Sequence, residues 1–252
     1  MHKNCIFVRF LTAQSKSIIM NITYYGHSCF GIEVNGSHLL FDPFISGNDL
    51  AKHIDVNSVK ADYILISHGH HDHIDDALLI AKRTGAKVVS SFEIINWLVG
   101  QGIDNSHPMN VGGSWKFDFG SVKCVSAVHS SSLPDGSAAG SPMGFVIESS
   151  EGSFYFAGDT ALTYDMKLIG DYNKIDFALL PIGDNFTMVV DSALIATDFI
   201  KCKKIIGMHY DTFGYIKINK SESVKKFEEA GAELILFEIG ETKSSKELIT
   251  KQ

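Results

Sequence analysis

Four residues of metal-binding type lie within six positions of this chain. They are His68, His70, Asp72 and His73, and they follow the apolar run at 63–66 with one residue, Ser67, in between. A run of this length predicts a strand, so the four side chains are expected in the loop where that strand ends. Imidazole and carboxylate groups together suit a borderline divalent ion such as zinc, whereas an oxygen-only set would suit calcium. The cluster therefore predicts a metal site.

The spacing of the four residues favours two adjacent ions. Residues two apart in an extended segment point the same way, so His68 and His70 can bind one ion together. A helical pattern starts at Asp72, so Asp72 and His73 are expected to point away from the first pair. A solvated histidine-rich loop, or a low-affinity metal scavenger, is the alternative that the cluster alone leaves open.

Three further residues of ligand type follow apolar runs elsewhere in the chain. His129, Asp159 and His209 each stand directly after such a run, so we expect them at the tips of three strands. A single histidine or aspartate in this position is more often a helix cap or a hydrogen-bonded core residue. Three of them, together with the cluster around His68, favour a shared metal centre instead.

The order of these seven residues resembles the signature of the metallo-β-lactamase fold superfamily. Shorter motifs resemble an uncharacterised metal-dependent hydrolase branch that is related to ascorbate-phosphate lactonases. These motifs are Tyr25-Gly26-His27-Ser28-Cys29-Phe30, Phe41-Asp42-Pro43-Phe44, residues 157–162, residues 181–188 and His209-Tyr210. The resemblance covers residues 20–237. Three positions depart from the branch, none of them among the seven: Val189, Ser192 and Gly214.

The resemblance implies how the seven residues share two divalent ions. They divide into two groups around a bridging Asp159: His68, His70 and His129 on one ion, and Asp72, His73 and His209 on the other. Zinc is the first expectation for the ion and manganese the second. Asp159 stands where true β-lactamases have cysteine, and His70 where the oxygen-reducing diiron branch has a carboxylate, so the resemblance favours a hydrolase.

Residues near the predicted ligands are expected to support or use the site. Asp42 ends a strand and is expected to accept the second ring proton of a ligand histidine, since metal-bound imidazoles normally have such a partner. Asp72 is assigned to catalysis as well as to the metal. His27 is either a hydrogen-bonded core histidine or, as the resemblance implies, a catalytic residue that binds or protonates substrate. Three residues after the strand predicted at 177–180 are expected to bind substrate, with turn chemistry as the alternative: Asp184, Asn185 and Phe186.

Composition restricts the partners. The net charge of −7 disfavours a broad basic face, so no nucleic-acid partner is expected. Four cysteines without short paired spacing are typical of a reducing compartment, which predicts a cytoplasmic protein. No stretch reaches the ~20 apolar residues of a membrane helix, so no membrane partner is expected. The expected partner is a small-molecule substrate, and a homo-oligomer remains open.

Strand and helix patterns alternate along the chain. Apolar runs on either side of Asn35-Gly36 predict a hairpin, because both turn positions tolerate a positive φ. Helices are predicted over 72–84, ended by Gly85, and over 92–100. The alternation predicts an α/β fold, a four-layer αββα sandwich in which two mixed sheets are flanked by helices.

One catalytic domain is predicted at 20–240. Residues 1–19 are expected to be an N-terminal extension, because the family resemblance begins at Met20. Residues 241–252 are expected to be a polar, frayed tail.

The leading functional prediction is a metal-dependent hydrolase. A hydroxide bridging two divalent ions would attack a small ester, lactone or phosphorylated metabolite. A phosphodiesterase on nucleotides or phospholipid head groups is the alternative enzyme, because the same ion pair suits phosphoryl transfer. A metal-dependent binding protein without turnover is the non-enzymatic alternative.

Overall fold

The computed structural model describes residues 19–249. The predicted extension at 1–19, apart from Ile19, and its Cys5 therefore lie outside the described residues. The other three cysteines are buried free thiols: Cys29, Cys124 and Cys202.

Within the described residues, the strands form two seven-stranded sheets. The strands of the first sheet are β1 (Asn21–Gly26), β2 (Cys29–Val34), β3 (Ser37–Phe41), β4 (Tyr63–Leu65), β5 (Lys87–Ser91), β6 (Ser106–Met109) and β14 (Thr242–Ser244). The strands of the second sheet are β7 (Ser114–Phe117), β8 (Gly120–Ser126), β9 (Met143–Ser149), β10 (Gly152–Phe156), β11 (Phe177–Pro181), β12 (Lys204–Met208) and β13 (Glu233–Ile235). The strand orders are β14-β1-β2-β3-β4-β5-β6 and β13-β12-β11-β10-β9-β8-β7.

Helices lie between and after the strands. They are α1 (His71–Ile74), α2 (Ala77–Thr84), α3 (Phe92–Gly100), α4 (Met166–Tyr172), α5 (Val190–Phe199), α6 (Lys220–Glu229) and α7 (Ser245–Ile249). Short 3₁₀ turns occur at Asp49–Ala51, Val56–Ser58 and Gly214–Ile216. None of the helices within residues 19–249 has the length and apolar character that crossing a membrane requires.

Both sheets are mixed, as the sequence predicts. In the first sheet β14, β1, β2 and β3 pair antiparallel, and β3 to β6 pair parallel. In the second sheet β7 to β10 pair antiparallel, and β10 to β13 pair parallel. The hairpin between β2 and β3 turns at Asn35 and Gly36, whose φ angles of 49° and 80° both lie in the left-handed region. The predicted hairpin is confirmed.

The core lies between the two sheets and beneath the helices. Phe41 of β3 stacks on Phe156 of β10 with ring centroids 4.7 Å apart, which joins the inner faces of the sheets. A second apolar cluster lies between the first sheet and its helices, where Ile80 of α2 and Leu98 of α3 are fully buried. The predicted four-layer arrangement of two sheets flanked by helices is therefore confirmed.

The predicted helix over 72–84 is two helices in the structure, α1 and α2. Asp76 interrupts them because its side chain accepts hydrogen bonds from the backbone N–H groups of Ile45 and Ser46, at 2.6 and 2.9 Å. Its own N–H donates to Pro43 O at 3.1 Å. The N–H of Asp76 thus donates to the loop at 43–46, whereas a continuous helix would need it to donate to the carbonyl of Asp72.

The segment predicted as a frayed tail, 241–252, is ordered over most of its described part. β14 pairs with β1, in the register Ile22 with Lys243. Ser245 N–H donates to Met20 O at 2.8 Å, and Leu248 of α7 is buried. The prediction of a frayed tail is wrong here because the polar composition of this segment conceals a pairing with the first strand, more than two hundred residues away.

Candidate metal centre

Every predicted ligand lies at the same edge of the sandwich. The four residues at 68–73 follow β4, His129 follows β8, Asp159 follows β10 and His209 follows β12. The strands β8, β10 and β12 run in the same direction. β8 and β10 both pair antiparallel with β9, and β10, β11 and β12 pair parallel with one another in turn. Their carboxyl ends therefore meet at one edge, and side chains that follow them converge there.

The first group consists of His68, His70 and His129. Their ring nitrogens lie within 4.8 Å of one another. His68 Nε2 lies 3.0 Å from His70 Nδ1. The ring centroid of His129 lies 5.1 Å from the ring centroids of His68 and His70. Three nitrogens that face a common point are a suitable partial coordination sphere for one divalent ion.

The second group contains Asp72, His73 and His209. Asp72 Oδ2 lies 4.0 Å from His73 Nε2 and 4.0 Å from His209 Nε2. The same group includes His27, whose Nε2 lies 3.1 Å from Asp72 Oδ2. One carboxylate oxygen and two ring nitrogens thus face a second common point, beside the first.

Asp159 lies between the two groups. Its Oδ2 atom lies 3.6 Å from His129 Nε2, 3.4 Å from His73 Nε2 and 2.8 Å from His209 Nε2. The preceding Gly158 has a φ of +61°, and a Cβ there would lie 2.7 Å from Ser67 Cβ. Glycine therefore lets the chain turn close enough to bring this carboxylate between both groups.

Asp42 and Ser67 contact the Nδ1 atoms of His73 and His68, on the side of each ring that faces away from the centre. Asp42 Oδ2 accepts the Nδ1–H of His73 at 2.8 Å, and both Asp42 oxygens accept from Ser67, through its N–H at 2.7 Å and its hydroxyl at 2.6 Å. Ser67 Oγ also lies 2.9 Å from His68 Nδ1. With their Nδ1 atoms engaged, His68 and His73 direct Nε2 towards the centre.

Burial and neighbouring charges decide which site residues are charged. Burial, aided by nearby His73, lowers the pKa of His68 well below its ordinary value, which favours a neutral ring. Burial also opposes a charge on His73, but Asp159 and Asp42 outweigh it and raise the pKa of His73 well above its ordinary value. Burial likewise opposes a charge on Asp159, but His209 and His73 outweigh it and lower its pKa. The shifts of the His73 and Asp159 pKa values both favour positive charge beside an ionised Asp159.

His27 lies behind Asp72 and not in the substrate pocket that the sequence resemblance implies. Its ring is fully buried, with Nε2 on Asp72 and Nδ1 2.9 Å from Thr212 Oγ1. Burial, followed by the influence of His209, lowers the pKa of His27 to about 3, so its ring is neutral. A neutral ring can donate from Nε2 to Asp72 and accept at Nδ1 from Thr212.

Three residues at the centre have positive φ angles, a backbone conformation that residues other than glycine rarely adopt. The φ angles of His27, Asp42 and His209 are 58°, 42° and 56°. Such conformations cost about 1–3 kcal/mol each and persist where the surrounding structure imposes them. Here the N–H of His209 donates to the carbonyl of His27 at 2.9 Å, which joins the two sheets at the site.

A cavity of about 810 Å³ opens onto the two groups. Five of the seven predicted ligands contribute to its lining: His70, Asp72, His129, Asp159 and His209. The remaining described lining residues come from neighbouring loops and from α1: His71, Ser130, Phe186, Thr212, Phe213, Gly214 and Tyr215. This volume is sufficient for a small-molecule substrate.

Of the three residues predicted to bind substrate, Phe186 alone lines this cavity. Asp184 lies beside a separate cavity of about 220 Å³, and Asn185 is exposed. Both have positive φ angles, 64° and 51°, and the carbonyl of Asp184 accepts from the N–H groups of Phe186 and Thr187. Asp184 and Asn185 thus form the turn that presents Phe186, which is the alternative that the sequence left open.

Two residues that support the site, Ser67 and Thr212, were not predicted from the sequence. Ser67 directly precedes His68, so its position offered a signal, whereas nothing in the sequence connects Thr212 with His27. Phe213 and Tyr215, which follow His209 in the sequence, also line the cavity.

The residues present fit divalent metal ions. His73 Nε2 and Asp159 Oδ1 are buried and have no hydrogen-bond partner among the described residues. Buried polar atoms are seldom left unpartnered, so their arrangement towards one centre indicates a bound group. Imidazole nitrogens and carboxylate oxygens in two adjacent groups are the donors that zinc and manganese accept.

The chain also matches a known protein family. Residues 21–209 match the family described as "Beta-lactamase superfamily domain". This match covers most of the chain and includes all seven predicted ligands. The chain therefore belongs to the β-lactamase superfamily.

Close relatives narrow this assignment. A UPF0173 metal-dependent hydrolase from Flavobacterium johnsoniae is 59% identical over 223 residues, which cover 88% of this chain and 99% of the relative. One from Methylacidiphilum infernorum is 53% identical over 223 residues, with the same shares covered. The chain belongs to this family of UPF0173 metal-dependent hydrolases.

A solved structure is similar as well. It is Igni18, described as a novel metallo hydrolase from the hyperthermophilic archaeon Ignicoccus hospitalis KIN4/I. The two chains are 38% identical, with a TM-score of 0.82, and the match covers 90% of this chain and 98% of the other.

Proposed function

We propose that this protein is a binuclear metal-dependent hydrolase that acts on a small ester, lactone or phosphorylated metabolite. One observation carries the proposal: seven histidine and aspartate side chains from four parts of the chain converge on a cavity of about 810 Å³. The name shared by the close relatives, metal-dependent hydrolase, supports it.

In this proposal the seven residues hold two ions. The first group, His68, His70 and His129, holds one, and Asp72, His73 and His209 hold the other. Asp159 holds both, which its short distances to His129 and His209 support. Zinc is the preferred ion and manganese the second candidate, because nitrogen-rich sites favour zinc.

Divalent ions bound there would supply a hydroxide nucleophile at neutral pH and polarise the bond under attack. The chain itself orients the participants. Asp42 and Ser67 fix the rings of His73 and His68, so that little reorganisation is needed when the ions bind. Asp72 both faces the cavity and belongs to the second group, which supports the catalytic assignment made from the sequence.

Two ions per chain are expected after reconstitution with zinc or, in parallel, with manganese. Chelation should abolish turnover, and it should lower Tm by about 8–16 °C, because metal at a thousand times its Kd stabilises the folded state by about 4 kcal/mol. Elemental analysis, thermal unfolding and hydrolysis of lactone, thioester and phosphodiester panels provide the measurements.

His107→Ala is the control for this experiment, because that histidine lies in β6, outside both groups. It should keep both ions. Finding no more than one ion per chain in the native sequence would contradict the binuclear assignment. A protein with two ions that hydrolyses none of the panel would contradict the proposed activity.

We further propose that His27 positions Asp72. Replacing His27 by asparagine, which tolerates its positive φ, removes the hydrogen bond to Asp72 and should weaken metal binding about 10- to 100-fold. Turnover should fall at limiting metal and recover when metal is in excess. Metal titration with turnover measured at both metal concentrations tests this expectation.

Thr212 offers a matched pair of variants for the same contact. Thr212→Val removes the hydroxyl beside His27 Nδ1 and should move metal affinity in the same direction, whereas Thr212→Ser keeps the hydroxyl and should resemble the native protein. Turnover that falls in His27→Asn with unchanged metal affinity would return His27 to the substrate contact expected from the sequence.

A further inference from the structure

Two aromatic side chains stand exposed at the rim of the main cavity. Phe186 follows β11, and Tyr215 lies in the 3₁₀ turn Gly214–Ile216. Phe186 is 51% exposed and Tyr215 78%, and their ring centroids lie 6.4 Å apart at an angle of 77°. Large apolar side chains that stay exposed beside a cavity are typical of ligand contact.

A third ring extends this apolar side inward. Phe213 lines the same cavity, and its ring packs 5.4 Å from that of His27 and 6.4 Å from that of Phe44. Those contacts hold Phe213 in place, so it forms a fixed wall. The exposed rings of Phe186 and Tyr215 lie farther out, where a ligand can cover them.

The described lining of the cavity contains no lysine or arginine. Its acidic groups are Asp72 and Asp159, and its one histidine outside the seven proposed ligands is His71. The chain as a whole carries a net charge of −7. A phosphate or carboxylate away from the reacting bond would therefore lose hydration without gaining a charged partner.

We infer that the part of the substrate that does not react is uncharged and carries an aryl or alkyl group, which packs against the exposed rings of Phe186 and Tyr215. The inference rests on the proposed function, which places the reacting bond of the substrate beside the seven histidine and aspartate residues. The substrate class is then a neutral aryl or alkyl ester or lactone. Metabolites that carry a second, non-reacting phosphate are disfavoured.

Binding of two matched amides tests the charge preference without requiring turnover. N-(4-methylsulfonylphenyl)butanamide is neutral, and N-(4-sulfophenyl)butanamide has nearly the same shape with a negative sulfonate, which is a weak metal ligand. Calorimetry on the zinc-loaded full chain should give a Kd at least about tenfold lower for the neutral amide, since the sulfonate would be desolvated without a partner.

Variants test the two rings. Phe186→Ala and Tyr215→Ala should each weaken binding of the neutral amide about three- to tenfold, the scale of one aromatic contact. Matched controls are Phe92→Ala and Tyr172→Ala, because these residues are 56% and 77% exposed and neither lines the cavity, so binding should not change. Phe186→Lys should improve binding of the sulfonated amide.

Equal or tighter binding of the sulfonated amide to the native protein would overturn the inference. So would the absence of measurable binding of the neutral amide, or binding that neither ring variant weakens. The corresponding phenyl esters separate this result from the proposed function. If the neutral amide binds as expected but neither these esters nor any member of the lactone, thioester and phosphodiester panel is hydrolysed, the hydrolase proposal fails and the inference about the cavity stands.

Discussion

Replacing Asp159 by asparagine is expected to lower turnover by at least about a thousandfold and to release at least one metal ion. The variant keeps the size of the side chain but removes the negative charge that lies between His129 of one group and His73 and His209 of the other. The measurements are kcat/KM on whichever ester or lactone the native protein hydrolyses, and metal content by elemental analysis.

Asp165→Asn is the matched control for this prediction. Asp165 lies six residues farther along the chain, is exposed before α4 and makes no capping hydrogen bond. Its replacement should leave metal content and turnover unchanged. An Asp159→Asn protein that retains two ions and more than a tenth of native turnover would show that Asp159 does not join the two groups.

Replacing Asp42 by asparagine is expected to destabilise the protein by about 3 kcal/mol, because the new amide cannot accept from Ser67 and His73 as the carboxylate does. Asparagine tolerates the positive φ at this position, so backbone strain does not obscure the result. Tm should fall by about 6–12 °C. Metal affinity should fall about 10- to 100-fold, since His73 loses the group that orients its ring.

An aspartate–histidine pair outside the site, Asp62 with His38, serves as the control. Asp62 accepts from His38 Nδ1 at 3.0 Å and from its backbone N–H at 2.7 Å, but the pair is on the surface. Asp62→Asn should therefore cost about 1 kcal/mol at most and leave metal affinity unchanged. Equal losses of Tm in Asp42→Asn and Asp62→Asn would contradict the supporting role of Asp42.

Local sequence signals predicted the elements whose formation depends on neighbouring residues. The hairpin at Asn35-Gly36 and the helix α3, Phe92–Gly100, agree with prediction because turn chemistry and helical periodicity are short-range properties. Prediction failed where a distant segment intervenes. Asp76 breaks a helical pattern because of its bonds to the loop at 43–46, and β14 exists because β1 is beside it.

Within the site, residue type and spacing indicated which side chains could bind metal. Four ligand-type residues in six positions, and three more after apolar runs, are visible in the sequence because metal binding requires particular residue types. That the ends of these strands meet at one edge is a property of the two sheets. Asp42 was expected from the sequence to accept a hydrogen bond from a ligand histidine, and the structure identifies that histidine as His73.

The amino-acid sequence by itself determined the fold class, the family and the set of ligand-type residues, since each depends on chemistry and order along the chain. Only the tertiary structure decided where His27 and the loop after β11 lie. Burial turned the ring of His27 away from the cavity and onto Asp72 and Thr212, and the turn at Asp184 and Asn185 left Phe186 at the rim. Those outcomes depend on packing between the two sheets, which connects residues that no spacing in the sequence relates.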